Sequence, residues 1–576
     1  MQLSNESPRS RWVVLVGIWL IAAGLLFAHA RIVRQYLDIV GQLGLRGAPA
    51  ATTPLQQAYP AFAADAQTWV RHSLSLLEGH DLRLRYTQID NAPQGREVHW
   101  NSGWAWLIAL SGKFNHWLNG VPMPRAVETG ALWVNPVVLT ILMIVLSLTA
   151  ARRAGVVAGA IVAFAVVGHP RIFEGFFPGY VDHHGLIAIA AFGVVLGAVF
   201  MGGGWWREAE TAGGFLLPRS PQQAREGAVV SALSGACGMW VTAASTIPPI
   251  AFVGVAGVIA LILRARSASE GGARFDGDVW RTWGRVGGCA SLFFYLIEYF
   301  PSHMGFRLES NHPFYGLAWW GGAELIAEFG ERWLGSSDKR WRNGNRLIAP
   351  LAAVVVAPLT VLIGGAKVFA VSDPFLARLH HDYIQEFLPL WRSLAGVGWK
   401  TSTQIVGLEN VPLLVGIGSL IVLARRAPFL LWFTTLMAFL LTAMAWIQSR
   451  WLLNASGAQV CMVLVLSAIF LENRRPLIRW LVPIVAGLIL FFPHAVLRVV
   501  SGQDDVTARR VSPKDAQCAL ARDIAAAILQ SQPQGGVTLL TSPNFSTSVG
   551  YYGRFKTLGT LYWENTAGLK SAAAML

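Results

Sequence analysis

Residues 179–185 (GYVDHHG) combine side chains that bind divalent cations. Asp182 and His184 are two residues apart, so both can reach one ion from an extended or turning backbone, and His183 between them is a further candidate. A carboxylate oxygen together with an imidazole nitrogen suits Mn²⁺ or Mg²⁺. The alternative is that Asp182 caps the helix that follows, because a carboxylate there accepts hydrogen bonds from unpaired backbone N–H groups.

Two carboxylates in residues 30–129 are further candidates for the same site. Asp65 lies near the start of residues 64–72 (ADAQTWVRH), where the alternative is a helix cap followed by an amphipathic helix. Asp90 lies in residues 89–100 (IDNAPQGREVHW), a Pro/Gly turn crowded with polar groups. We regard Asp90 as the first replacement to test if Asp65 proves distant from Asp182.

A third candidate segment is residues 307–313 (RLESNHP), which contains Glu309 and His312. Glu309 could face the same cavity as Asp182, with His312 as an additional polar group. The alternative is a surface ion pair between Arg307 and Glu309, which contributes little stability.

The composition indicates the environment in which these residues work. The chain has 576 residues, of which 54% are hydrophobic and 14% charged, and its mean hydropathy is +0.45. Soluble domains are about 25% charged, so this composition predicts a polytopic membrane protein and excludes a disordered, collagen-like or disulfide-stapled chain. The net charge of +14 does not indicate nucleic-acid binding, because the basic residues lie between apolar runs.

A helix that crosses a bilayer needs about 20 mostly apolar residues. Apolar runs of roughly this length predict that residues 1–498 form an all-α membrane domain of about thirteen helices with the GT-C architecture named below. The predicted spans are residues 12–29, 130–150, 154–168, 185–203, 227–244, 247–264, 286–300, 314–330, 347–370, 410–424, 428–446, 453–471 and 478–498. The first run has no small-residue cleavage site, so we interpret it as a retained span and not as a signal peptide.

Arginines in short loops orient the predicted spans, since such loops face the cytoplasm. With the N-terminus inside, every even-to-odd connection is arginine-rich, for example Arg152 and Arg153, or Arg425 and Arg426. The first loop (30–129), the loop at 371–409 and the tail (499–576) then lie outside the cytoplasm. The tail predicts a small α/β element, with a helix near 513–531 and a strand at 536–541.

This arrangement resembles the catalytic subunits of oligosaccharyltransferases, which are GT-C membrane glycosyltransferases with single-subunit bacterial and archaeal members. The family has a first-loop Asp with a Gly about fourteen residues later, like Asp65 and Gly79 here. It also has a D-x-D, D-x-E or D-x-H motif behind Gly-Tyr, like Asp182 and His184. The resemblance implies that Asp65, Asp182 and His184 bind one divalent cation, Mn²⁺ or Mg²⁺, and should converge.

Two later residues are assigned by the resemblance alone. The family carries a Glu in a Ser-Val-Ser-Glu-like segment followed by Pro, which Glu309 matches loosely. It also carries an Arg at the start of a late span that binds the donor pyrophosphate, like Arg450. One departure concerns the acceptor: the Trp-Trp-Asp-Tyr-Gly motif that reads the glycosylation sequon is absent, and residues 542–546 (SPNFS) would occupy its place.

The implied activity is that of a glycosyltransferase of the EC 2.4 class in the inner membrane. It would transfer a sugar or oligosaccharide from a polyprenyl-(pyro)phosphate donor to a glycan, lipid or protein acceptor on the periplasmic face. Asp65 and Glu309 would be catalytic. The alternative functions are a transporter or flippase for a lipid-linked glycan, which should show inverted repeats with broken helices, and a non-catalytic membrane scaffold.

The topology is tested by a reporter fused after Leu576. Thirteen spans with a cytoplasmic N-terminus put this residue outside, so a reporter that is active only outside the cytoplasm should be active there. Activity of a cytoplasm-only reporter at the same position would contradict the predicted number of spans, because one missed span inverts everything after it.

Overall fold

The computed structural model describes residues 8–46, 53–59, 63–207, 217–270, 272–334, 345–364, 373–395, 399–471, 474, 476–491, 512–533, 536–560, 562 and 565–575. The described residues are overwhelmingly helical. The helices are α1 (Pro8–Arg46), α2 (Ala63–Gly79), α3 (Ser102–Asn119), α4 (Met123–Ala154), α5 (Val156–Gly168), α6 (Pro170–Glu174), α7 (His184–Phe200), α8 (Pro221–Val241), α9 (Ala243–Glu270), α10 (Gly277–Glu298), α11 (Pro313–Trp333), α12 (Asn345–Gly364), α13 (Pro374–Tyr383), α14 (Leu390–Ala395), α15 (Trp399–Leu423), α16 (Phe429–Ile447), α17 (Leu452–Leu471), α18 (Pro476–Phe491), α19 (Pro513–Ser531), α20 (Pro543–Gly553) and α21 (Thr566–Met575).

Within the described ranges, short strands pair in three places and four single turns of 3₁₀ helix join longer elements. β1 (Tyr86–Thr87) and β2 (Arg96–Glu97) are antiparallel, as are β3 (Trp205–Trp206) and β4 (Arg274–Phe275), whereas β5 (Thr538–Leu539) and β6 (Lys556–Thr557) are parallel. The 3₁₀ turns are Gly202–Gly204, Gln385–Phe387, Ala424–Arg426 and Ser449–Trp451.

Seven helices in the described part of the chain are long and apolar enough to cross a membrane, which makes this a multi-pass membrane protein. They are Val16–Gln35, Met123–Ala154, His184–Gly204, Ala243–Leu263, Leu347–Gly364, Phe429–Ile447 and Ser449–Leu471. Three shorter apolar helices, Val156–Gly168, Asn410–Leu423 and Leu481–Leu490, coincide with further predicted spans. The other predicted spans fall on α8, α10 and α11, so the total of thirteen stays a prediction.

Helix α7 is the centre of the membrane bundle, and 94% of its most apolar stretch is buried. It packs against α8 and α17, and small residues allow the close approach to α8. A Cβ atom at Gly197 would lie 2.3 Å from the backbone nitrogen of Ser231, so only glycine fits at that crossing. Because Asp182 and His184 lie at the start of this helix, the most tightly packed element of the bundle fixes their position.

A second hydrophobic core joins the first loop to the tail. It contains Tyr59, Trp69 and Val70 from the loop and Val549 and Tyr551 from α20. We call this unit, residues 53–122 with residues 512–575, the loop–tail lobe. Since the loop and tail share one core, the tail does not fold around a core of its own.

Hydrogen bonds reinforce this lobe at several points. Arg71 of α2 donates to the carbonyl oxygens of Gly550 and Phe555, and Ser548 donates to Gln67 Oε1 at 2.9 Å. The backbone of Thr557 in β6 donates to the carbonyl oxygen of Ile89 at 2.7 Å. The lobe therefore brings together residues that are more than 450 positions apart in sequence.

A buried ion pair fastens the lobe to the membrane bundle. Glu298, at the end of α10, accepts hydrogen bonds from Arg85 Nη2 at 2.6 Å, from the backbone N–H of Ser102 at 2.9 Å, and from Trp240 Nε1 at 2.8 Å. The Glu298 side chain is completely buried and that of Arg85 is 7% exposed. Removing one member of a buried pair leaves an uncompensated charge, which is costly.

Replacing Glu298 with Ala should therefore destabilise the protein by about 3–5 kcal/mol and lower its unfolding temperature in detergent. Arg378→Ala is the control, because its ion pair with Asp382 is exposed (83% and 43%) and contributes at most about 1 kcal/mol. Equal unfolding temperatures for the two variants would show that the Arg85–Glu298 pair does not anchor the lobe.

Candidate active site

The turn between α6 and α7 presents Asp182 at the N-terminal end of α7. Gly179 has φ of 84°, a conformation that side chains with a Cβ rarely adopt, so the chain can reverse directly before Asp182. Gly185 follows the turn, and a Cβ there would lie 2.6 Å from the carbonyl oxygen of Gly175. Asn135 of α4 donates to the carbonyl oxygen of Tyr180 and holds the turn against the bundle.

Asp182 is buried and its carboxylate is surrounded by donors. Oδ1 accepts from the backbone N–H of His183 at 2.7 Å and from Trp69 Nε1 at 2.9 Å, and Oδ2 lies 3.1 Å from His184 Nδ1. Burial alone would raise the pKa of Asp182, but the neighbouring His184 and His183 together with these hydrogen bonds hold it well below its usual range. Asp182 therefore stays ionised.

The helix-cap interpretation of Asp182 does not hold, because the N-cap position of α7 is His183 and this helix has no side-chain cap hydrogen bond. Asp182 Oδ1 accepts from the adjacent backbone N–H of His183, while Oδ2 faces His184. The Oη atom of Tyr180 lies 2.6 Å from the same Nδ1 atom of His184. These contacts fix the imidazole ring and direct its other nitrogen away from Asp182.

Asp65 lies in the first turn of α2, and its side chain is half-buried. Its Oδ1 atom accepts a hydrogen bond from Tyr562 Oη at 3.3 Å. Burial, and secondly the negative charge of Asp182, raise the pKa of Asp65 to about 7. Asp65 and Asp182 therefore act on each other electrostatically, and two carboxylates that share a site are stabilised by a bound cation or proton.

Glu386 is a carboxylate of this site that the sequence analysis missed. It belongs to the 3₁₀ turn Gln385–Phe387, and its Oε2 atom lies 4.0 Å from His184 Nε2. Glu386 also contributes to raising the pKa of Asp65 through its negative charge. The available signal was its position in residues 384–389 (IQEFLP), where Pro389 follows the glutamate.

Arg450 borders the site on the other side of Glu386. It lies in the 3₁₀ turn Ser449–Trp451 that precedes α17, and its Nη2 atom donates to Ser245 Oγ at 3.1 Å. Its guanidinium group lies 4.9 Å from the ring centroid of Phe387, the neighbour of Glu386. The arrangement thus places a permanent positive charge next to a group of carboxylates.

The chemistry of these side chains fits a hard divalent cation, since carboxylate oxygens and an imidazole nitrogen suit Mn²⁺ and Mg²⁺. Within the described ranges, however, no group of three or more His, Cys, Asp or Glu side chains is arranged to hold a metal ion. The hydrogen bonds explain this, because His184 Nδ1 and both oxygens of Asp182 are directed at protein partners. The shared metal site stays a prediction.

Glu309 lies next to the start of α9. Its backbone carbonyl oxygen accepts from the backbone N–H of Ala243, and its carboxylate lies near Tyr315. A catalytic role for Glu309 stays a prediction.

The remaining candidates have structural partners. Asp90 is buried and pairs with Arg96 Nη2 at 2.7 Å, and His312 caps α11 by accepting from the backbone N–H of Phe314 at 3.3 Å. His183 lies 2.9 Å from Asp182 and packs edge-on against Trp69. These contacts make Asp90 and His312 elements of the framework, whereas His183 supports Asp182 directly.

Sequence reasoning also missed the groups that hold the site residues, namely Trp69, Tyr180 and Tyr562. Each contacts a candidate residue through one hydrogen bond, and Trp69 and Tyr562 do so from distant segments. Trp69 could have been suspected because it lies one helical turn after Asp65. No sequence pattern connects Tyr562 with Asp65.

Comparisons with known proteins identify the fold. The sequence matches no family model and no curated protein sequence. In structure, the chain is similar to the oligosaccharyltransferase of Archaeoglobus fulgidus in its apo form, with a TM-score of 0.56, 14% identity, and coverage of 94% of this chain and 64% of that chain. It therefore has an oligosaccharyltransferase-like fold and spans about two thirds of the length of that enzyme.

Two further structures from the same organism agree. The archaeal oligosaccharyltransferase AglB in complex with an inhibitory peptide and a dolichol-phosphate gives a TM-score of 0.56 and 13% identity, covering 94% of this chain and 68% of that one. The Archaeoglobus fulgidus oligosaccharyltransferase in complex with Zn and sulfate gives a TM-score of 0.55 and 14% identity, covering 93% of this chain and 62% of that one. The structural neighbours are thus oligosaccharyltransferases.

Proposed function

We propose that this protein is a membrane glycosyltransferase that transfers a sugar or oligosaccharide from a polyprenyl-(pyro)phosphate donor to an acceptor. The observation that carries the proposal is the Asp182–His184 pair, 3.1 Å apart at the start of α7, with Asp65 and Glu386 beside it and Arg450 next to Glu386. The oligosaccharyltransferase-like fold supports the reaction class, and the neighbour bound to dolichol-phosphate supports a lipid-linked donor.

The proposed reaction is a displacement at the anomeric carbon of the donor sugar. The acceptor nucleophile forms a bond to this carbon while the bond from the carbon to the phosphate oxygen breaks, so the leaving phosphate takes the electron pair and the configuration inverts. A divalent cation held by Asp65, Asp182 and His184 would supply positive charge that orients the acceptor. Asp65 would accept the proton that the nucleophile loses.

Arg450 is the proposed partner of the departing phosphate. Its guanidinium group is permanently charged and can bind two phosphate oxygens at once. Ser245 Oγ, 3.1 Å from Nη2, and the Phe387 ring hold the guanidinium group in one orientation. Fixed positive charge at a leaving group commonly lowers a reaction barrier by a few kcal/mol.

We propose Glu386 in place of Glu309 as the second catalytic carboxylate, which would contact the acceptor from the side opposite Asp65. The support is position: Glu386 lies 4.0 Å from His184, whereas Glu309 lies beside Ala243 and Tyr315. A catalytic role for Glu309 is retained as the competing assignment, because it neighbours the α9 start that holds Arg450.

The proposed location is the inner membrane, with the active site and the tail on the periplasmic face. The arginine-rich loops predicted to be cytoplasmic support this orientation, and the candidate residues all belong to the opposite loops. The alternative of a transporter or flippase is not favoured, since the structural neighbours are transferases and the acidic residues lie at helix ends instead of mid-span.

The proposed acceptor is a glycan or lipid hydroxyl, or a protein site that is not an Asn-X-Ser/Thr sequon. A sequon reader needs a pocket that bonds one hydroxyl, since that contact discriminates against analogues without it. Ser546 Oγ donates to the carbonyl oxygen of Thr541, and Ser548 donates to Gln67, so these hydroxyls are used inside the lobe. Residues 562–565 (YWEN) are a second aromatic and acidic cluster of the tail that could serve this task, and Trp563 and Glu564 of this cluster lie outside the described residues.

Purified protein with a lipid-linked donor, Mn²⁺ and a suitable acceptor extract tests the assignment of the two glutamates. Glu386→Gln should lower the transfer rate by roughly 100-fold, because it removes the carboxylate that is proposed to contact the acceptor. Glu309→Gln is the matched control and should change the rate by less than about threefold.

A larger loss of transfer rate for Glu309→Gln than for Glu386→Gln would identify Glu309 as the second catalytic carboxylate. If the wild-type protein transfers no sugar from any lipid-linked donor to endogenous glycans, lipids or proteins, the proposed function is wrong. Loss of transfer on chelation of divalent cations, with recovery on addition of Mn²⁺, is the expected accompanying result.

Matched peptides test the acceptor. Asn-Ala-Thr and Gln-Ala-Thr peptides should be equally poor acceptors, because the lobe offers no hydroxyl-reading pocket in residues 542–546. Product formation is followed by mass spectrometry. Efficient transfer to the Asn-Ala-Thr peptide alone would restore sequon-dependent glycosylation as the function.

A further inference from the structure

Helix α3 of the first loop presents an exposed apolar face. Leu107, Leu110, Phe114 and Trp117 recur three or four residues apart, so they lie on one side of the helix. All of them are exposed, Phe114 to 60% and Trp117 to 77%. Single exposed apolar residues are ordinary, but a contiguous face of this kind marks an interaction surface. We propose that this face of α3 is inserted into the bilayer leaflet on the side of the candidate active site.

The packing of α3 on α4 sets the depth of the face. Ser111 Oγ donates to the carbonyl oxygen of Gly130 at 2.9 Å, and Asn115 Nδ2 donates to that of Ala126 at 3.1 Å, so the two helices run antiparallel. The stretch of α4 from Gly130 to Arg152 is about 33 Å long by the rise of an α-helix. Arginine is costly inside hydrocarbon, so Arg152 marks one edge of a core that is about 30 Å thick. Ser111 therefore lies close to the opposite edge.

This depth suits the residue types along the face. Leu107 and Leu110 lie on the hydrocarbon side of that edge, whereas Phe114 and Trp117 lie beyond it, at the level of the lipid headgroups. Tryptophan is enriched at this level in membrane proteins. Lys113, which is exposed one turn from Trp117, can direct its charged end to lipid phosphates while its stem stays on the apolar face. The order of the side chains therefore follows the polarity of a leaflet.

The face also continues the apolar outer surface of the membrane bundle. Helix α3 begins against the end of α8, where a Cβ atom at Gly103 would lie 2.3 Å from the ring of Trp240. Trp240 stacks on Phe294 of α10 with 4.8 Å between ring centroids, and the adjacent Phe293 is exposed. On α4, Ile141 is exposed within the membrane-spanning helix. Because the exposed apolar surfaces of these helices adjoin α3, lipid is the occupant that we assign to its face.

The buried side of α3 connects this contact to the loop–tail lobe. Trp104 and Ile108 pack in the core of the lobe together with Trp69 of α2. Trp69 Nε1 in turn donates to Asp182 Oδ1 at 2.9 Å. A leaflet that holds α3 therefore also supports the part of the lobe that contacts the candidate site.

Nitroxide labels measure the insertion in full-length protein reconstituted into vesicles of phosphatidylcholine and phosphatidylglycerol. Cys237→Ala and Cys289→Ala first remove the exposed native thiols. Labels at Leu110→Cys, Phe114→Cys and Trp117→Cys should be more accessible to oxygen, which concentrates in hydrocarbon, than to a water-soluble nickel chelate. The ratio of the two accessibilities should be highest at Leu110→Cys and decrease along the face to Trp117→Cys.

Two controls bracket this measurement. Ile141→Cys, on the exposed side of α4, gives the ratio for hydrocarbon. Leu520→Cys gives the ratio for water, because Leu520 is 55% exposed but its exposed neighbours on α19 include Lys514 and Gln517. Leu107→Cys, on the same face of α3, decides the matter if one of the three labelled variants does not fold.

Three results would overturn the inference. Ratios at Leu110→Cys and Phe114→Cys equal to that at Leu520→Cys would show that water covers the face. Labels shielded from both reagents would show that a second copy of the chain or another protein covers it. A ratio that increases from Leu110→Cys to Trp117→Cys would contradict the depth derived from α4. Sugar transfer enters none of these measurements, so the inference and the proposed function stand or fail separately.

Discussion

Two carboxylates in one partly buried site are the constraint on which the surrounding structure depends. Asp182 is ionised because His183, His184 and Trp69 compensate its charge, and that charge together with burial raises the pKa of Asp65 to about 7. The surroundings of the two acids therefore shift their pKa values in opposite directions, downward for Asp182 and upward for Asp65. Such a pair is stable when each carboxylate is held by fixed donors, and the structure provides these from separate parts of the chain.

The parts that meet at the pair are themselves fixed by burial. Asp182 lies at the start of α7, the most buried helix of the bundle, whereas Asp65 belongs to the loop–tail lobe. Their distance depends on how the lobe sits on the bundle, and the buried Arg85–Glu298 pair is one contact that fastens it there. A second is the carboxylate of Glu128 in α4, which accepts from Tyr551 of the tail.

Local sequence patterns predicted the features that depend on residues close together in the chain. The D-x-H spacing was sufficient for Asp182 and His184, whose side chains meet across one turn, and apolar runs located the helices. Glu386 and Glu309 could not be separated in this way, because each is a glutamate in a loop and is followed within four residues by a proline. Only the packing of residues 385–387 against the start of α7 distinguishes them. The partners of Asp90 and His312 were equally inaccessible, since an ion pair and a helix cap depend on where neighbouring backbone lies.

The tail also could not be interpreted from sequence alone, because the partners of its hydroxyl groups lie in distant parts of the chain. Its sequence contains hydroxyls and tyrosines that could read a substrate, but the structure uses Ser546, Ser548 and Tyr552 to hold the tail on the first loop. A buried hydroxyl whose donor is already engaged cannot also select a ligand without breaking that bond and leaving a polar group unsatisfied. Tyr562 Oη, in contrast, donates to the carboxylate of Asp65 in the candidate site. In the described part of the tail, the hydroxyl groups of Ser546, Ser548 and Tyr552 therefore hold the tail together and on the first loop, whereas the hydroxyl group of Tyr562 contacts Asp65.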